Sequence, residues 1–495
     1  MKEIYTEEKQ KNKKRKKNKI QILILIVFFV AVFSGMTLYF SSYSIEHQTT
    51  LISNSYNPRQ KILAKTNIRG TIYSRDKEVL VSSDYKDNGV EVRDYKYGNL
   101  FSHVVGFAVN GKMGIEKDYN YYLINSNASL AVKSEADSQG KKRPGDSIVT
   151  TLDLDVQKAA YDALGQYKGA VIATDPKTGQ ILAMVSKPDF DPALVAENWD
   201  SYLNDNESGV LVNRVTNGIY APGSTFKILT SIEYIREYPE EFENYKFNCK
   251  GSIKKGEDTI RCYHGMVHGE VDFAKSFAKS CNCSFVNIGM ELDKNSFGEF
   301  LNSMLFNSNL PGDFNSSVSK LVVNDSIPED DMVQVCIGQG IANITPLHLN
   351  LITCAIANNG ILYEPYVVDS VESVNGKEVK KFKPKTYGRL LQEDECKIIK
   401  SLMEGVVSDG TATKLSGRPY LAAGKTGSAE FGDVKGESHA WFTGYAIMDK
   451  ENPEEEDPVP EICVTVIIEG GGSGGDYAAP IAKRVFDAYY GISYE

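Results

Sequence analysis

The most restrictive feature of the sequence is an unbroken apolar run. Residues 20–40, IQILILIVFFVAVFSGMTLYF, carry only Gln21, Ser34, Thr37 and Tyr39 as polar side chains. In a helix, a run of this length at about 1.5 Å per residue covers about 30 Å, the hydrocarbon thickness of a bilayer. A cleaved secretory leader has an apolar region of about 7–15 residues ending at a small-residue cleavage site, and neither is seen here. The run therefore reads as a single-span anchor. Residues 1–19 hold nine Lys or Arg against three Glu. That bias sets the tail in the cytoplasm and the chain from about residue 45 outside.

The remainder has a different character. The chain has 65 acidic and 55 basic residues, a net charge of −10, so the part beyond the basic tail carries −16. A protein that grips nucleic acid non-specifically has the opposite balance, because phosphate neutralisation supplies its affinity. No nucleic-acid partner is expected. With 42% hydrophobic and 24% charged residues, the outer part reads as globular protein of about two or three domains, not as a disordered or polytopic chain.

Local patterning divides it further. Residues 41–57 are polar and read as a stalk. Residues 58–149 contain short alternating stretches, which point to a small β-rich membrane-proximal module. Within it, residues 134–147 (SEADSQGKKRPGDS) read as a linker. Residues 150–495 read as one large mixed domain. It opens with a helix that starts after Asp153 and stops at Gly165. Two apolar strands follow, GAVIAT and QILAMVS, joined by a turn at residues 175–179. Helical segments are expected up to about residue 415, then strands at 440–447 and 462–468, and a last helix from about Ala478.

The chemistry begins at YAPGSTFK, residues 220–227. Pro-Gly forces a turn, and Ser224 then opens a helix whose apolar residues Phe226, Ile228, Leu229, Ile232 and Ile235 can be buried. Lys227, three residues on, shares a helical face with Ser224. A serine hydroxyl needs an adjacent base, and a lysine can serve only when desolvation or a neighbouring cation keeps it neutral. Ser-x-x-Lys alone is uninformative, since it recurs at Ser74, Ser138, Ser276 and Ser317. Two partners give it context: Ser280-Cys281-Asn282, and Lys425-Thr426-Gly427-Ser428, whose small flanking residues fit an edge strand. A second Lys-Thr-Gly, at Lys177, falls on the turn between two strands and is set aside.

In the order S-x-x-K, S-x-N, K-T-G the chain resembles the penicillin-recognising serine acyltransferases. NRVTNGIYAPGSTFK, GQGIANITPLHL (338–349), HAWFTGYA (439–446) and AAPIA (478–482) are similar to class B penicillin-binding proteins. So are RGTIYSRD (69–76) and GKMGIEKDYNYYL (111–123) of the membrane-proximal module. The resemblance spans residues 58–495. It implies a mixed α/β fold with a central antiparallel sheet flanked by helices, carrying a D,D-transpeptidase. By that resemblance Ser224 is the nucleophile, Lys227 its base and Ser280 a proton relay. Asn282 holds the substrate amide, and Lys425 lowers the pKa of its neighbours. Thr426, Gly427 and Ser428 form the strand that receives the terminal carboxylate, and the Ser224 and Ser428 N–H groups form the oxyanion hole. Peptidoglycan stem peptides ending in D-Ala-D-Ala are the implied substrates, with β-lactams as their mimics. No cofactor is implied for acyl transfer. Strand polymerisation is left to a polytopic partner of the SEDS type. One departure is Ser74-Arg75, where the family motif has Asp-Arg.

Eight cysteines remain. Cys336, Cys354, Cys396 and Cys463 have apolar surroundings and read as small core residues. Cys249 and Cys262 flank an expected hairpin (GSIKKGEDTIR, 251–261), so a Cys249–Cys262 disulfide is one reading. Adding His268 and Cys281 gives a Cys₃His set suited to tetrahedral structural zinc, as some elongation-type relatives resemble. Zinc, disulfide and free thiols stay open here, and His264 is a spare candidate. The segment EGGGSGG (469–475) lacks the Lys-Ser/Thr of a phosphate loop and reads as a flexible connection. The acidic run at 454–457 reads as a solvated loop. A hydrolase of the same fold and a non-catalytic scaffold of the wall-building complex are the rival functions.

Overall fold

The computed structural model describes residues 2–46, 58–86, 90–205, 207–256, 258–312, 314–431, 437–448 and 459–493. The expected stalk therefore falls largely, and the acidic run wholly, outside the described residues. The chain forms two units, Met1–Leu63 and Ala64–Glu495. In the first, one helix, Lys2–Glu46, runs through the basic tail and the whole apolar run. The side chains from Ile20 to Phe40 are exposed, as lipid-facing side chains of a span would be. Among the described residues it is the one helix long and apolar enough to cross a membrane.

The second unit is built on a five-stranded antiparallel sheet in the order Tyr420–Glu430, Ser438–Met448, Ile462–Ile468, Gly169–Thr174, Ile181–Lys187. Every residue of Gly169–Thr174 and Ile462–Ile468 is buried, which explains their continuous apolar sequences. The helices Pro346–Ala357, Leu154–Leu164 and Ala479–Tyr489 pack against it. Leu154–Leu164 starts and stops as its sequence dictates. The Asp153 carboxylate accepts the N–H groups of Asp155 and Val156, and Gly165 ends the helix in the left-handed region (φ 55°). The strand bearing Lys425 lies at the sheet edge, as expected.

Two expectations fail. The stretch up to residue 415 is not wholly helical. Strands Lys246–Cys249 and Gly269–Asp272 pair, as do Ser252–Lys255 and Asp258–Arg261, and further strands occur between Ile361 and Arg389. These strands are short and mostly polar, so no long apolar alternation announces them. Nor are residues 134–147 a linker. They complete the helix Leu130–Ser138, and Arg143–Pro144 pairs in parallel with Asn67–Ile68. Ser147–Thr150 then joins a six-stranded sheet in the order Glu378–Lys381, Val368–Glu372, Ser147–Thr150, Ile72–Tyr73, Val79–Tyr85, Glu91–Tyr95.

Two residues of the membrane-proximal motifs have clear structural work. The Ser74 hydroxyl accepts the N–H groups of Asp76 (3.3 Å) and Glu78 (3.1 Å), closing the turn as a short acidic side chain could. The Glu116 carboxylate, fully buried, takes the Arg69 guanidinium on one oxygen and Arg93 Nε on the other at 2.7 Å.

Candidate active site

The serine sits on a turn held from three sides. Residues Gly223–Phe226 form a 3₁₀ turn leading into the helix Lys227–Glu237. This is tighter than the single α-helix expected, although Phe226, Ile228, Leu229, Ile232 and Ile235 are all buried as anticipated. Gly223 N–H donates to Gly338 O (2.8 Å) and Trp441 Nε1–H to Ala221 O (3.0 Å). Gly338 (φ 75°) must be glycine, since a Cβ there would stand 2.1 Å from Gly223 O. The segments 338–349 and 439–446 therefore matter because they hold this turn. Ser224 Oγ is half-buried and has no hydrogen-bond partner among the described residues. Catalytic contacts often tighten only when substrate binds.

Behind the serine lie two lysines, both fully buried. Ser280 Oγ stands between them, 3.2 Å from Lys227 Nζ and 2.9 Å from Lys425 Nζ. Ser280 adopts a left-handed backbone (φ 56°) to reach this position. Lys227 also donates to Ser280 O (2.8 Å) and Asn282 Oδ1 (2.7 Å). Burial pulls the Lys227 amine down to about 8, with Cys281, Cys262 and Cys283 opposing the shift. Burial, then the charge of Lys227, holds Lys425 well below the ordinary lysine range. Both amines thus face the one Ser280 hydroxyl.

The edge strand closes the other wall. A Cβ on Gly427 would come 3.0 Å from Pro222 O, and one on Gly223 would come 2.8 Å from Ser428 O. The K-T-G strand and the nucleophile turn therefore touch backbone to backbone. Ser224, Ser280, Asn282, Thr426, Gly427 and Ser428 line one open cleft of about 260 Å³. Thr426 Oγ1 is 2.5 Å from Thr411 Oγ1.

The glycine segment 469–475, expected to be a flexible connection, is part of this cleft. Ser473, Gly474 and Gly475 line it, and Gly474 N–H donates to Ser428 Oγ at 3.4 Å. A Cβ on Gly474 would stand 2.3 Å from Trp441 O and 2.4 Å from Gly427 O. Here glycine serves close approach, not flexibility. Glu469 anchors the segment's start, accepting Arg214 Nε (2.7 Å) and Tyr220 Oη (2.8 Å). The presence of Arg214 and Tyr220 in the NRV…IY motif was the available signal.

Cys249, Cys262, His268 and Cys281 converge with all ligand atoms within 4.8 Å of one another. Cys262 Sγ is 3.6 Å from Cys249 Sγ and 3.7 Å from Cys281 Sγ, and Cys249 Sγ is 3.5 Å from His268 Nδ1. All eight cysteines are free thiols, so the Cys249–Cys262 pair is not bonded. Tetrahedral zinc, with Zn–S of about 2.3 Å and Zn–N of about 2.1 Å, needs ligand separations of about 3.5–3.8 Å. The set fits. The mutual hydrogen bonds of the cluster hold the Cys262 sulfur well below the ordinary thiol range and push Cys281 and Cys283 above it. Cys283 Sγ, 3.5 Å from Cys262 Sγ, is an addition that the sequence reading missed. His264 is exposed and stays outside the set.

Residues 169–487 match the penicillin binding protein transpeptidase domain. The chain belongs to that family. In addition, residues 69–148 of this penicillin-binding protein match the penicillin binding protein A dimerisation domain. The peptidoglycan D,D-transpeptidase MrdA of Acinetobacter baumannii is 28% identical over 86% of this chain and 70% of its own length. The peptidoglycan D,D-transpeptidase PbpA of Mycolicibacterium smegmatis is 27% identical over 80% and 84%. The ceftriaxone acyl-enzyme complex of penicillin-binding protein A from M. tuberculosis superposes with a TM-score of 0.76. That pair is 26% identical, over 86% of this chain and 99% of the other.

Proposed function

We propose that the protein is a membrane-anchored peptidoglycan D,D-transpeptidase that forms an acyl-enzyme on Ser224, is acylated there by β-lactams, and cross-links stem peptides. The observation that carries this reading is the Ser280 hydroxyl bridging two buried lysines beside Ser224. In the neutral form, Lys227 takes the Ser224 proton as Oγ attacks the penultimate D-Ala carbonyl. Ser280 Oγ relays that proton to the departing amine of the terminal D-Ala. The Asn282 amide holds the donor's peptide group, and the Thr426 and Ser428 hydroxyls with Lys425 hold its carboxylate. The N–H groups of Ser224 and Ser428 stabilise the oxyanion, each worth about 3 kcal/mol. Terminal D-Ala leaves with the relayed proton. An amine of a second stem peptide then attacks the ester, forms the cross-link and frees Ser224.

Acyl transfer here uses no cofactor. Cys249, Cys262, His268 and Cys281 would hold a structural zinc. Its contribution when bound is to tie the hairpin 251–261 to Cys281, and so to steady Ser280 and Asn282 on either side. Residues 58–149 are taken as the pedestal module, and residues 150–495 as the transpeptidase domain outside the membrane. Residues 1–19 lie in the cytoplasm. A polytopic SEDS-type polymerase supplies the glycan strands.

Full-length protein in detergent is expected to give a stable adduct with fluorescent penicillin, mapping to Ser224 and surviving a chase. Rapid loss of label would instead establish the hydrolase. Because the base acts only when neutral, the acylation rate rises with pH and levels off above about 8. A flat profile through that range would remove Lys227 from the role. Elemental analysis of protein purified without chelator is expected to find about one zinc per chain. Cys262→Ser loses the metal and lowers the melting temperature, whereas Cys283→Ser retains it. Metal-free wild-type protein of unchanged stability would refute the zinc reading.

A further inference from the structure

One wall of the cleft comes from outside the three motifs. Between Cys262 and His268 the chain makes a short loop, residues 263–267. Tyr263, Met266 and Val267 are 49%, 56% and 64% exposed, an unusual concentration of large apolar side chains in water. The loop is nevertheless ordered by its own bonds. Gly265 N–H donates to Cys262 O (2.7 Å), and Met266 N–H to Tyr263 O (3.1 Å). The His264 ring lies 4.1 Å from that of Tyr263. Beneath the loop, a Cβ on Gly251 would come 2.8 Å from Gly265 O and 3.2 Å from Val267 Cγ2, so the hairpin supports it at close range. Its root is tied to the reaction centre, because Asn282 Nδ2–H donates to Arg261 O at 2.9 Å.

Tyr263 and Met266 line the same cleft as Ser224, Ser280 and Asn282. We propose that these two side chains are specificity-determining residues, forming the wall against which the donor stem peptide packs just before its reacting D-alanines. The inference rests on the transpeptidase reading above. Ser224 fixes the reacting carbonyl, and the Thr426–Ser428 strand fixes the terminal carboxylate. Asn282 holds the peptide group on the opposite side of the reacting carbonyl, so the donor chain departs past Asn282. The surface bordering Asn282 there is the loop rooted at Arg261. A phenol ring and a flexible thioether suit the methylene stem of a long aliphatic side chain at that peptide position. The exposed apolar area is then a subsite, covered when the donor binds.

The test compares two D-alanyl-D-alanine thioester analogues on full-length protein, one carrying the complete stem peptide and one only an acetyl group. Wild type prefers the long analogue. Tyr263→Ala and Met266→Ala each lower that preference about tenfold, through KM rather than kcat. Tyr263→Phe and Met266→Leu retain it. Metal content, measured in parallel, is unchanged in every variant. The proposal is overturned if wild type turns over both analogues equally, or if the alanine variants keep the preference. It is also overturned if they lose metal and both activities together, which marks a structural role. Wild type that uses neither analogue and takes no penicillin on Ser224 would refute the earlier functional reading instead.

Discussion

A Ser224→Ala form of the protein keeps its fold and loses covalent labelling by penicillin. The hydroxyl makes no hydrogen bond among the described residues and is half-buried, so its removal leaves no orphaned partner and no large cavity. The turn itself is held by Gly338 O and Trp441 Nε1, neither of which involves the side chain. What disappears is the atom that forms the ester. In serine acyl-transfer sites, loss of the nucleophile costs about 10⁶ in rate, which in a labelling experiment reads as no adduct. The measurement is gel fluorescence after exposure to fluorescent penicillin, with a melting curve to show that the variant is folded. Persistent label on the folded variant would move the nucleophile elsewhere.

The second large effect is expected outside the cleft that Ser224 lines. Glu116→Gln should cost about 3–5 kcal/mol, because it leaves two guanidinium groups buried without their shared counter-charge. Arg69 also donates to Asn120 Oδ1 (2.6 Å), and Arg93 to Gly70 O (2.6 Å), so neither can swing out to water without breaking further bonds. Burial alone would raise the Glu116 pKa, but Arg93 and Arg69 together hold it below the ordinary carboxylate range. The folded value is therefore depressed relative to the unfolded one. The ion pair's contribution is fully present above the ordinary carboxylate pKa and is lost as pH falls through the folded value. Denaturant midpoints followed by circular dichroism should show a large deficit for Glu116→Gln at neutral pH, and a smaller one in acid. A deficit under about 1 kcal/mol at neutral pH would mean that the pair anchors nothing.

The sequence carried the site better than the scaffold. Ser224, Ser280 and Lys425, which the structure brings together at one cleft, stood out because their motifs follow one another in the order of the family they resemble, and their context separated them from chance copies. The helix after Asp153 was legible because its cap and its glycine stop are local. What failed was non-local. Nothing within residues 134–147 says that Arg143–Pro144 will pair with Asn67–Ile68, and the charges and glycine there imitate a linker. The glycines of 469–475 imitate flexibility because composition does not distinguish a glycine that moves from one pressed against Trp441 O. Arg69 and Glu116 were quoted as parts of two motifs, but only the fold shows that they are one interaction.

Grafting the pedestal of one relative onto the catalytic half of another is not a simple exchange of parts. Ser147–Thr150 pairs with Ile72–Tyr73 on one side and with Val368–Glu372 on the other, and Glu378–Lys381 completes that edge. A chimera joined at residue 150 would inherit a ladder whose last two rungs come from the other parent. Mismatched side chains there would open a raw edge able to stick to other chains. A working transplant has to carry residues 368–381 along with the first segment, so the tradable unit is discontinuous in the gene although continuous in the sheet.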